Sequence, residues 1–392
     1  MKNIYLDNAA ATPIAPEVQR EIVRGMKLVG NPSSFNNIGR TAAEELKKAR
    51  LTVARFLGAH PEEIIFTSSG SEANNLAISG ITGVYGKKGE IITTKIEHPS
   101  VLGPISRLSG EGFKIVYTDN NKEGFVDEKD LKKNISKRTV LVSVMYANNE
   151  IGTIEPINKI GKIIRDFKIK NLKFKIHEKT YPFFHVDACQ AAEYLNMNVN
   201  TLRVDLLSFN GSKIYGPRGV GVLYIRKGIK LEPMIRGGGQ ERGLRAGTEN
   251  IPAILGLAKA ISIIKKDEGE KISELRNYFV GRIKQVLPEA RLNGAIGRDR
   301  LPNNINISVP GTDSENLLLE LDKYGISAGS GSACTARSVE PSHVLKAIGV
   351  EKKYLSGVLR FSLGRETKKS DLDYVVRVLS KIVPELKKRY GK

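Results

Sequence analysis

The chain has 392 residues, 40% of them hydrophobic, and its 62 Lys and Arg against 42 Asp and Glu give a formal net charge of +20. The length supports more than one core and the apolar fraction is that of a globular protein, which excludes a disordered or membrane-embedded chain; no apolar run reaches the ~18 residues of a membrane helix. The basic residues are spread along the chain without a helix-turn-helix, zinc-finger or RNA-recognition pattern, so the charge reads as a Lys-rich solvated surface on a cytoplasmic protein, with no specific nucleic acid and no membrane as partner.

From residue 15 the pattern alternates helix and strand. "PEVQREIVRGMKLV" and "GRTAAEELKKARLTVARFLG" have helical spacing. "EIIFTSS", "GEIITTKI", "FKIVYTD", "TVLVSVMYA", "FFHVDA", "VDLLSFN" and "VGVLYI" are short apolar or β-branched runs. Helix-length segments between most of them predict right-handed βαβ crossovers and a mainly parallel sheet, an α/β large domain over residues 15–255. The long helical stretch that follows, then "NNINISV" and the amphipathic "KSDLDYVVRVLSKIVPELKKR", predict a smaller α+β domain over 256–392, which residues 1–14 join. The basic segment 168–181 is longer than a helix-to-strand link needs and predicts an exposed excursion.

Chemistry collects in four places. "TSSGSEANN", residues 67–75, follows a strand and opens a helix, where small residues and the hydroxyls of Ser69 and Ser71 suit an anion at the helix N-terminus. "HVDACQ" ends a strand on Asp187, at the edge where open α/β sheets bind ligands. "SFNGSKIYGPRGVG" holds Lys213 in a Gly-flanked turn, a position suited to a Schiff-base lysine. "SGSACTARSVEPSHVL" sets Cys334 among Gly329, Ser330, Gly331, Ser332, Thr335 and Ala336, a polar stretch that predicts an exposed, mobile thiol and a nucleophile. The only other cysteine, Cys189, reads as a small core side chain, and two cysteines with five histidines give neither a disulfide framework nor a metal site.

In this order the motifs resemble those of a known family. "YLDNAAATP", "NPSS…GR", "TSSGSEANN", "EHPSV", "NNEIGT", "HVDACQA", "SKIYGPRGVG", "GGGQERGLRAGTEN", "GSGSAC…EPSHVL" and "LRFSLGR" together look like a cysteine desulfurase of the NifS/IscS-like group, in the class V aminotransferases. The resemblance covers nearly the whole chain. It implies the PLP-dependent transferase type I fold, with a large domain that binds pyridoxal 5′-phosphate and a small domain that carries the cysteine loop. It also implies conversion of L-cysteine to L-alanine with a persulfide left on Cys334, for iron–sulfur cluster assembly or thiolation. A homodimer and a sulfur-acceptor or iron–sulfur scaffold protein are the implied partners.

Roles carry over only onto matching residues. The resemblance makes Lys213 the lysine that holds the cofactor and moves the substrate's Cα proton, Asp187 the partner of the pyridine nitrogen, and His98 the residue stacked on the ring. Asn149 and Gln190 would face the phenolic oxygen, and Gly70 and Ser71, with Asn210 and Ser212, the phosphate. Thr248 would reach the phosphate in the neighbouring subunit, and Arg360, with Asn149, would bind the substrate. Two departures stand out: Asn210 and Ser212 replace a serine and a histidine that relatives commonly carry, and Asn36 stands where a histidine often follows "NPSS". The rival readings are a selenocysteine lyase or an aminotransferase of the same fold. A nucleic-acid-binding protein on a decayed scaffold would not be expected to keep Lys213, Asp187, His98, Cys334 and Arg360 together.

Overall fold

The computed structural model describes residues 3–85, 89–171, 182–265, 267–331 and 341–390. A short strand, β1 (Ile4–Tyr5), precedes helices α1 (Pro16–Met26) and α2 (Asn37–Leu57). Asn36, at the position of the missing histidine, starts α2: its side-chain oxygen accepts the Gly39 N–H at 2.8 Å. The helix stops at Gly58, whose φ of 61° a residue with a Cβ adopts only under strain.

The main sheet contains β2 (Ile64–Thr67), β3 (Glu90–Thr94), β4 (Lys114–Thr118), β5 (Thr139–Ser143), β6 (Phe183–Asp187), β7 (Leu206–Asn210) and β8 (Gly221–Ile225), in the order β2-β8-β7-β6-β5-β3-β4. Strands β3 to β7 run parallel, and β8 is antiparallel to both β2 and β7. Each apolar run singled out in the sequence is one of these strands. Apart from the edge strand β4, which is half exposed, their near-continuous apolar character follows from burial on both faces. In β6, Phe184 and Val186 pack in the core with Val53 and Leu57 of α2, whereas Phe183 packs with Leu76 and Ile105. Those two belong to α3 (Gly70–Tyr85) and α4 (Pro99–Gly110), the helices that follow β2 and β3. Side chains alternate along a strand, so Asp187 falls on the same face as Phe183, below the N-termini of α3 and α4.

The second unit has its own core, in which Phe279 and Phe361 meet edge-on with ring centroids 5.2 Å apart. Its strands are β9 (Arg291–Leu292), β10 (Asn304–Ser308), β11 (Ile326–Ser327) and β12 (Val358–Ser362). β10 pairs antiparallel with β9 and β12, and β1 pairs parallel with β11, bringing Ile4 opposite Ile326. Ile4 and Leu6 lie in this core. The boundary expected after residue 255 falls inside the helix Ile251–Ser262, whose Leu257 and Ala260 still belong to the large core. That helix is apolar nearly all round and so is buried along most of its length, with only Pro252, Lys259 and Ser262 reaching solvent. Of the expected basic excursion, residues 168–170 complete the helix Ile157–Lys170, and 172–181 lie outside the described residues. Among the described residues no helix is long and apolar enough to cross a membrane.

Candidate active site

A cavity of about 200 Å³ opens at the carboxyl edge of the main sheet, lined by Gly70, Ser71, His98, Asn149, Asp187, Gln190, Asn210, Lys213 and Arg360 among others. Nine of the residues predicted from the sequence thus meet around one space. Ser212 and Thr248 do not line it: Ser212 stands one step behind Asn210, and Thr248 is exposed to solvent. Cys334 lies outside the described residues.

One end of the cavity is the start of α3. Ser69 does not face it. Its hydroxyl accepts the Glu72 N–H at 3.1 Å, while the Glu72 carboxylate accepts the Ser68 N–H at 2.8 Å, so these residues cap the helix. The N–H groups of Gly70 and Ser71, which the first turn cannot satisfy internally, remain at the cavity wall. Gly70 has to be glycine, since a Cβ there would stand 2.5 Å from Cys189 Sγ and 3.0 Å from Asn210 Nδ2. Ser212 donates its hydroxyl to Asn210 Oδ1 at 3.2 Å, which leaves the Asn210 NH2 directed to the α3 end. The pair thereby offers an amide donor at the α3 end of the cavity.

The floor is Asp187. Its Oδ2 accepts from Asn74 Nδ2 at 2.8 Å and its Oδ1 from the Cys189 N–H at 3.0 Å. Cys189 departs from expectation: it is half-buried in the cavity wall and absent from the apolar clusters. The reason is that β6 ends at Asp187, so Cys189 sits in the turn beyond the strand and not in the pleat. Burial, reinforced by the Asp187 carboxylate, pushes its thiol well up, so it stays protonated.

Lys213 comes from the turn after β7 and donates to the Ala10 carbonyl; Gln190 donates to Ala9 O at 3.0 Å. At the far end, Arg360 from the middle of β12 is 1% exposed. It donates to Asn149 O at 3.0 Å and to Asp7 Oδ1 at 2.8 Å, and its Nε has no partner among the described residues. An unpaired buried guanidinium donor costs about 1–3 kcal/mol, which an anionic ligand would offset. His98 is the N-cap of α4, and burial lowers its pKa.

The sequence model of the class-V aminotransferases, described as "Aminotransferase class-V", matches residues 4–375. The chain belongs to this family. As a class-V aminotransferase it is similar to "Cysteine desulfurase IscS" of Dictyoglomus turgidum, 45% identical over 98% of this chain and 96% of the relative. Among solved structures it is similar to a "NifS-like protein", with a TM-score of 0.89 and 35% identity over 98% of this chain and 100% of the other. A structure described as "SspA in complex with cysteine" matches with a TM-score of 0.79 and 32% identity, over 92% of this chain and 99% of the other.

The class-V aminotransferase site also holds residues to which sequence reasoning gave no role. Asp7, Ala9 and Ala10 belong to "YLDNAAATP", which was read only as part of the family pattern; the segment crosses from the small core to meet Arg360, Gln190 and Lys213. Asn74 and Ser100 were likewise quoted within "TSSGSEANN" and "EHPSV" without a function. No local signal marks Asp7, Ala9, Ala10 or Asn74, because their partners are far away in the chain; Ser100 has its partner His98 two residues back, a contact the pattern does not reveal.

Proposed function

We propose that the protein is a pyridoxal phosphate-dependent cysteine desulfurase that converts L-cysteine to L-alanine and leaves the sulfur on Cys334 as a persulfide. The observation that carries this reading is the convergence of Lys213, Asp187 and Arg360 on one cavity closed at the other end by the start of α3. The donor set fits the cofactor and substrate together: backbone N–H groups and the Asn210 amide for a phosphate, an acid at the floor for a ring nitrogen, a lysine amine, and a guanidinium with a donor to spare. When bound, pyridoxal phosphate supplies the electron sink that lets the substrate carbon lose its proton and then its sulfur.

The chain's own residues do the rest. Arg360, fixed by Asp7 and by the Asn149 carbonyl, grips the substrate carboxylate. With the cofactor bound, Asp187 would keep the ring nitrogen charged, His98 would cover the ring, Asn149 and Gln190 would bind at the phenolic oxygen, and Lys213 would move the proton at Cα. The Cys334 thiolate attacks the substrate sulfur. The Cβ–S bond breaks, an S–S bond forms, and the proton count closes with one hydrogen gained at Cβ of alanine, so no outside oxidant or reductant is needed. Product analysis tests this: L-cysteine with a thiol reductant should yield alanine and sulfide in equal amounts, and a keto acid in place of alanine would reject it.

Thr248, exposed and outside its own chain's cavity, supports a homodimer in which it completes the partner's phosphate site. A sulfur-acceptor or iron–sulfur scaffold protein is the partner this chemistry requires next. Removing one hydrogen bond to a charged phosphate costs about 1.5–3 kcal/mol, so Asn210→Ala and Thr248→Ala should each raise the cofactor's dissociation constant roughly tenfold or more. Equilibrium dialysis reads it; unchanged retention in Thr248→Ala would rule out the shared site.

A further inference from the structure

His98 and Asp187 are joined by a hydrogen-bonded chain in which every proton has one place to go. Asn74, 1% exposed, gives one amide hydrogen to Asp187 Oδ2 at 2.8 Å and the other to Ser100 Oγ at 2.9 Å. A carboxylate only accepts, so the amide cannot be turned round without setting oxygen against oxygen; Asn74 Oδ1 has no partner among the described residues. Ser100 Oγ, having accepted from Asn74, still has its hydrogen to give to His98 Nδ1, 2.8 Å away, and the backbone contact at that nitrogen fixes this direction. The Ser100 backbone N–H donates to the same nitrogen at 3.1 Å, which is how His98 caps α4. Two donors on Nδ1 leave no room for a proton there.

We propose that Ser100 and Asn74 are positioning residues that keep the His98 proton on Nε2, so that His98 meets the bound substrate as a hydrogen-bond donor and not as a base. The surroundings agree. Burial disfavours the charged ring, the Asp187 carboxylate pulls the other way, and Lys213 and His343 again disfavour it; the positive end of α4 does the same. Proton transfer at Cα then falls to Lys213 alone. The donor role rests on the desulfurase reading above, whereas the position of the proton does not.

The test uses full-length protein labelled with ¹⁵N-histidine, with and without pyridoxal phosphate, and His98→Gln to assign the signals. At neutral pH His98 should show an unprotonated Nδ1 and a protonated Nε2 in both forms. Ser100→Ala should populate the other tautomer and lower kcat about tenfold, one hydrogen bond's worth, with KM for L-cysteine little changed and the acid limb of the pH profile moved to higher pH. Ser100→Thr, which keeps the hydroxyl, should restore both. His98→Gln keeps a donor and should retain more activity than His98→Ala. A proton on Nδ1 in the wild type, or Ser100→Ala with the wild-type spectrum and pH profile, would overturn the proposal. A wild type that makes no alanine from L-cysteine would instead remove the desulfurase reading and leave the spectrum standing.

Discussion

Lys213→Ala abolishes turnover of L-cysteine, by on the order of 10³-fold or more, and with it the visible absorbance of lysine-linked pyridoxal phosphate. Losing a positioned proton-transfer group alone costs about 10²–10⁴-fold. On the proposed reading the same side chain would also provide the covalent link to the cofactor. The position suits both tasks: the turn Gly211–Lys213 follows β7 directly and carries the side chain into the cavity against the Ala10 carbonyl, on the sheet edge that ends β6 at Asp187. Lys213→Arg separates charge from chemistry. It keeps a cation in the cavity but offers no amine that can lose its proton, so it should be as inactive as the alanine variant. Absorbance before and after borohydride, together with steady-state sulfide release, gives the answer. Wild-type turnover in either variant would move the proton chemistry to another residue and leave Lys213 as an ordinary charge.

What was legible beforehand was whatever depends on neighbours in sequence. The strands of the main sheet carry their own signal because burial on both faces forces runs such as "TVLVS" and "GVLYI", and α3 announces itself by small polar residues after β2. The same local reading misplaced Ser69 and Cys189. A hydroxyl at the start of a helix can serve a ligand or the helix's own N–H groups, and only the fold showed Ser69 bonded to Glu72. Cys189 is two residues beyond the end of β6, and the pattern could not tell the last pleat from the first turn. The most distant pairs were invisible in the pattern: Arg360 and Asp7 are 353 positions apart, and Asn74 and Asp187 are 113 apart. Such pairs require the N-terminal segment to pair with β11 and α3 to lie over β6, both tertiary events. They are also the contacts that orient the groups expected to do chemistry, which is why a family pattern could name Arg360 and Asp187 but not what holds them.

Cys334→Ser should retain the cofactor and bind L-cysteine, yet form no persulfide and lose sulfide release by on the order of 10³-fold or more, as expected when a nucleophile acting within a unit is removed. The two cysteines of the chain face opposite demands. Sulfur must leave Cβ onto a nucleophile, and the thiolate is the reactive form. Cys189 cannot supply it: its thiol is pressed against Gly70 and pushed well up in pKa by burial and by the Asp187 carboxylate. Making Cys189 a thiolate would place a second negative charge beside Asp187. Cys334, set among Gly and Ser in the sequence, carries no such charge neighbour in "AGSGSACTA". Cys189→Ser should therefore change cofactor retention or stability while leaving persulfide formation intact. Mass spectrometry after incubation with L-cysteine should find one additional sulfur on the peptide that contains Cys334. Sulfur on Cys189, or sulfide release from Cys334→Ser at the wild-type rate, would show that the carbon–sulfur bond is broken without Cys334 as acceptor.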